Sequence, residues 1–135
     1  MKAIAAAAFA ASLAAFAVDA LAQAPAPAAP PGIKRTLLQR SDIGNHMEVI
    51  LGLAEIAPGS STGRHSHFGT ETGMVIEGSS SIEIEGDPPL LLKAGDSYLI
   101  PAGKVHNAKC LGDAPVKVLA TYVVEKGKPL ATPAP

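Results

Sequence analysis

Residues 59–78 read GSSTGRHSHFGTETGMVIEG, framed by Gly59 and Gly78, with His65, His67 and Glu71 between them on one parity. Side chains alternate between faces along an extended chain, so His65 and His67 project the same way, about 6.6 Å apart along the backbone. Two imidazoles at that spacing can converge on one ion at about 2.0–2.1 Å each. Phe68-Gly69-Thr70 lets the chain bend, so the Glu71 carboxylate can reach the same point. A second stretch, Gly95 to His106, reads GDSYLIPAGKVH, and its Pro101-Ala102-Gly103 turn aims another hairpin that ends on His106. Three imidazoles and one carboxylate suit a divalent transition metal (Fe, Mn, Cu, Zn, Ni or Co) better than calcium or magnesium. Four protein ligands on an ion that accepts five or six leave positions open for water, substrate or dioxygen.

Outward from these segments the hydrophobic period is two. His46 to Ile56 runs into Ala57-Pro58-Gly59, Ser81 to Glu85 alternates cleanly into Gly86-Asp87-Pro88-Pro89, and Pro115 to Glu125 is rich in β-branched residues. Short strands with Gly/Pro turns at this spacing indicate a sandwich or barrel. No stretch after residue 32 has helical periodicity, which predicts an all-β domain. Met74-Val75-Ile76 is apolar on both parities; such a strand is either an ordinary core strand or part of a dimer surface.

The N-terminus has a different character. Residues 1–22 hold Lys2, a small-residue apolar run from Ala3 to Val18, then Ala20-Leu21-Ala22, the pattern of a secretory signal cleaved before Gln23. The run is too short and Ala-rich for a stable membrane span, so a periplasmic or secreted protein is expected. Residues 23–32 are a Pro/Ala-rich tether and residues 128–135 a similar tail, leaving 33–127 as one folded domain. A net charge of −1 and 4% aromatic residues without tryptophan exclude a nucleic-acid footprint. The lone Cys110 excludes an intrachain disulfide.

The two segments resemble the paired motifs of the cupin superfamily. The first, G-x5-H-x-H-x3-E-x6-G, is filled at every fixed position, and the second, G-x5-P-x-G-x2-H-x3-N, at all but the last, where Cys110 stands in place of asparagine. The resemblance covers nearly all of residues 46–125. It implies a small jelly-roll barrel, a metal held by His65, His67, Glu71 and His106, and frequent homodimers. It also implies diverse functions, from dioxygenases and decarboxylases to non-catalytic binding proteins.

Two functions stay open on the sequence. One is a metal-dependent enzyme, an oxidoreductase of dioxygenase type or a lyase, acting on a small substrate with two oxygen donors. Glu71 is then either a ligand throughout or a base that swings away. The other is a binding or sensing protein that captures a small ligand without turnover, since both uses need the same four ligands. Tyr98 either lines the cavity as a hydrogen-bond donor or simply packs. His46 lies outside the motifs and reads as a surface histidine, and Cys110 as a small buried hydrophobe.

Overall fold

The computed structural model describes residues 30–135, which form ten strands and no helix. The expected signal and most of the expected tether lie outside the described residues. The strands are β1 (Ile33–Gly44), β2 (Met47–Ile56), β3 (His65–Ser66), β4 (Gly69–Glu77), β5 (Ser79–Ile84), β6 (Leu90–Lys93), β7 (Ser97–Ile100), β8 (His106–Leu111), β9 (Val116–Glu125) and β10 (Thr132–Pro133). They build two five-stranded antiparallel sheets, ordered β1-β2-β9-β4-β7 and β10-β3-β8-β5-β6. The expected all-β jelly-roll architecture is what forms.

Alternation places one row of each strand inside. Val116, Val118, Ala120 and Val124 of β9 are buried, as are Val75 of β4, Ile82 and Ile84 of β5, and Ile100 of β7. Fully burying an Ile or Val side chain contributes about 1.5–3 kcal/mol, so this row holds the sheets face to face. Cys110 belongs to the same core, its thiol donating to the Ala114 carbonyl at 3.2 Å. Polar residues interrupt the inward rows in one half of the barrel, where His65, His67, Glu71 and His106 are all buried.

Three regions depart from the expectations. Residues 33–44 form a strand that the alternation did not mark. It pairs only with β2, carries register shifts at Leu37/Gln39 and Asp42/Gly44, and is exposed along nearly its whole length. The tail, Pro/Ala-rich as a tether would be, docks: Thr132 and Pro133 pair with Ser66 and His65, and the Ala134 amide donates to the Arg64 carbonyl at 3.0 Å. At Met74-Val75-Ile76 only Val75 is covered, while Met74 and Ile76 stand exposed on the outer face of the first sheet.

Candidate metal centre

Strand register brings the four residues together. His65 and His106 are direct cross-strand partners on β3 and β8, with ring centroids 4.3 Å apart. His67 follows two residues after His65, and its ring lies 4.9 Å from that of His65 and 5.1 Å from that of His106. Glu71 comes from the other sheet, on β4 opposite Tyr122 of β9 and Ile100 of β7. Gly69 makes the approach possible: a β-carbon there would sit 2.0 Å from the Val123 carbonyl oxygen. One ligand atom from each of His65, His67, Glu71 and His106 lies within 4.8 Å of all the others.

Each imidazole is oriented by the backbone. His65 Nδ1 faces the Gly63 carbonyl at 2.8 Å, His106 Nδ1 the Lys104 carbonyl at 3.0 Å, and His67 Nδ1 the Leu130 carbonyl. An Nδ1–H that donates to a carbonyl fixes the tautomer and leaves the Nε2 lone pair for a ligand. Both other Nε2 contacts end on Glu71: Oε2 lies 2.7 Å from His67 Nε2 and 3.2 Å from His106 Nε2. His67 Nε2 is buried and has no partner in hydrogen-bonding geometry despite that short distance. The Nε2 lone pair and the Glu71 oxygen are therefore satisfied together only by a proton on the nitrogen or by a metal ion that both bind. The donor set and the orphaned nitrogen both fit a transition metal ion held by three imidazoles and one carboxylate.

Tyr98 completes the arrangement. It pairs with Gly73 across β7 and β4, and a β-carbon on Gly73 would lie 2.6 Å from the ring's Cζ and hydroxyl oxygen. The glycine thus seats the ring, and the Tyr98 hydroxyl donates to Glu71 Oε1 at 2.6 Å. Burial opposes charge on Glu71, but the His106 and His67 rings and the Tyr98 hydroxyl outweigh it. The carboxyl is held well below the usual carboxylate range. Burial, with the neighbouring Glu71 charge, raises the Tyr98 hydroxyl far above its ordinary value, so it stays a donor. The His65 imidazole is pushed down to about 4, chiefly by burial with the adjacent His106 and His67 rings, which keeps it neutral.

The enclosed space beside Glu71 is about 30 Å³. Half of its lining is aliphatic, Ile56, Ile82, Ile100, Val118 and small alanines, and the other half is Thr62, Tyr98, Tyr122 and Arg35 with His65, His106 and Glu71. Tyr98 thus both packs and lines the cavity. Tyr122 and Arg35 are functional candidates that sequence reasoning passed over. Tyr122 hides inside the β-branched run of β9 as the next inward residue after Ala120, and its ring stacks edge-on to His67 at 5.0 Å. Arg35 lies on the unmarked strand. Cys110 is not among the grouped ligands, and His46 is exposed in a left-handed turn with φ 58°.

A family model described as "Cupin domain" matches residues 52–122, more than half the chain. No curated protein sequence matches it. An oxalate oxidase solved with glycolate superposes with a TM-score of 0.62 at 23% identity, covering 77% of this chain and 56% of that one. A DMSP lyase from Ruegeria pomeroyi gives 0.53 at 24% identity, covering 56% and 38%. A cupin superfamily protein from Desulfitobacterium hafniense gives 0.59 at 23%, covering 73% and 83%. At these identities the likeness shows the fold, and the chain spans only about half of the oxidase and less of the lyase.

Proposed function

Because the chain belongs to the cupin domain family, we propose that it is a metalloprotein in which His65, His67, Glu71 and His106 hold one divalent transition metal. In this reading it is a metal-dependent enzyme, of dioxygenase or decarboxylase type, on a small substrate with two oxygen donors. The observation that carries it is the gathering of three backbone-tied imidazoles around the Glu71 carboxylate, whose Oε2, left free by Tyr98, lies against His67 and His106 Nε2. The bound ion would supply Lewis acidity and open positions for two oxygens or dioxygen.

The chain's own residues do the rest. The Gly63, Leu130 and Lys104 carbonyls hold the imidazoles in one tautomer. Tyr98 locks the Glu71 carboxylate through Oε1, which favours a ligand that stays in place over a base that swings away; a carboxylate held this far below its ordinary range is also a weak base. A space of about 30 Å³ limits the reacting end of a substrate to a few atoms.

One observation favours the second reading, capture without turnover. The other hydroxyls near Glu71 that titrate, Tyr98 and Tyr122, are both raised well above their ordinary range by burial and the Glu71 charge, so neither takes up a proton-abstracting role near neutrality. Dioxygen uptake and product formation by metal-reconstituted protein, across oxalate, β-diketones and catechols, separate the two. Turnover that needs the metal supports the enzyme. Saturable binding with no turnover for any of the three classes supports the binder.

Export and self-association belong to the same proposal. Cleavage before Gln23 predicts a mature N-terminus at that residue, read by mass spectrometry of secreted material. Exposed Met74, Ile76, Leu99 and Val123 lie on one outer face of β4, β7 and β9, an apolar surface suited to a second copy. A homodimer predicts twice the monomer mass in light scattering.

A further inference from the structure

We propose that Arg35 recognises a carboxylate of the substrate at the neck of a two-part pocket, and that the end of this substrate away from the metal ligands is apolar. The inference rests on the enzyme or binder reading above only for the end that reaches the metal ligands.

Register settles where Arg35 points. On β1 and β2 the pairs are Ile33 with Ile56, Arg35 with Ala54 and Leu37 with Gly52. Directly opposed residues of an antiparallel pair share a face. Ile56 and Ala54 line the inner cavity, and Arg35, exposed on β1, lines the same cavity from its solvent side. Its guanidinium is open to an incoming anion at the cavity mouth. No acidic side chain among the described residues pairs with it: Glu55 is engaged by Lys34 at 2.9 Å and Glu48 by Arg40 at 2.9 Å. The planar fork of an arginine matches a carboxylate with two parallel N–H···O bonds.

Two spaces meet at this residue. The inner one, about 30 Å³, is lined by His65, Glu71 and His106. An outer one of about 230 Å³ opens beside it, and both are lined by Arg35, Ala54 and Tyr122. The outer walls are apolar, formed by Leu37, Ile50, Leu53 and Leu130, with Gly52 leaving room over the Tyr122 ring. A charge in the outer space would lie against four aliphatic side chains. A monocarboxylate instead sets its head on Arg35 and its hydrocarbon in the outer space, gaining about 0.8 kcal/mol per buried methylene, close to fourfold in affinity for each.

The test titrates metal-free protein with straight-chain carboxylates from acetate to octanoate, and with octanol, followed by NMR shifts. Wild type is expected to bind more tightly as the chain lengthens, and octanoate at least tenfold more tightly than octanol. Arg35→Gln is expected to bring octanoate to the octanol level. Gly52→Leu is expected to flatten the chain-length dependence while acetate binds as before. Equal affinity for acetate and octanoate in wild type, or for octanoate and octanol, overturns the proposal without any variant. So does an Arg35→Gln protein that keeps wild-type octanoate binding. These outcomes are independent of metal loading: a protein that takes up no metal refutes the proposed function and leaves the titration intact.

Discussion

Replacing Tyr98 with phenylalanine removes one oxygen atom and keeps the ring on its Gly73 seat. What is lost is the 2.6 Å hydrogen bond that the hydroxyl donates to buried Glu71 Oε1. A hydrogen bond to a charged group contributes about 1.5–3 kcal/mol, and a buried acceptor left without its donor carries the full desolvation cost. Metal-free Tyr98→Phe should therefore unfold about 1.5–3 kcal/mol more easily in urea. The same bond holds Glu71 in place for the ion, and loss of such a supporting contact weakens metal binding by about 10–100-fold. Competition against a chromophoric chelator measures this. Tyr122→Phe is the control, because no hydrogen bond ties its hydroxyl to Glu71 although its ring shares the cavity; its effect on stability should stay within about 0.5 kcal/mol. The reasoning fails if Tyr98→Phe matches wild type in both assays, or if the two tyrosine variants are indistinguishable.

Stability of the metal-free protein should fall with acid. The His65 imidazole, ordinarily at 6.5, sits at about 4 in the fold, so the neutral form is favoured by folding. That contribution is present above pH 6.5 and is lost as pH falls from 6.5 through 4, up to about 3 kcal/mol at 1.36 kcal/mol per unit. Glu71, held below its ordinary 4.5, adds a further loss below that pH. Urea unfolding at pH 7.5, 5.5 and 4 reads this, and a flat profile contradicts it. Deleting residues 128–135 removes both the β10–β3 pairing and the Leu130 carbonyl that orients His67. Metal affinity should drop about 10–100-fold with the barrel still folded by circular dichroism; unchanged affinity would show that the tail is a mere tether.

The gathering of His65, His67, Glu71 and His106 and the all-β fold were legible because both are written in side chains. Histidines two apart, a carboxylate on the same parity and Gly/Pro turns each dictate local geometry before any tertiary contact forms. The tail was not legible, because its bonds to Arg64 and His67 run through backbone atoms that composition does not encode. Its proline and alanine content describes a free chain equally well. Strand β1 escaped for a related reason: as an edge strand with two register shifts, it lacks the alternation that burial on one face imposes. Arg35 was hidden with it, since its place at the cavity mouth is recognised only once its cross-strand partner, Ala54, is known. At Met74-Val75-Ile76 the apolar run suggested cover on both sides, yet one chain covers only the Val75 side. The second layer must come from outside the barrel or be absent.

Metal content decides the central claim. Elemental analysis of purified protein, run beside a His106→Ala variant, should find one transition metal ion per wild-type chain. In the variant it should find a small fraction of that, with the barrel still folded. Wild-type protein without stoichiometric metal after incubation with Mn, Fe, Co, Ni, Cu and Zn salts, or a variant that retains the full complement, would contradict the assignment of His65, His67, Glu71 and His106 as one metal site.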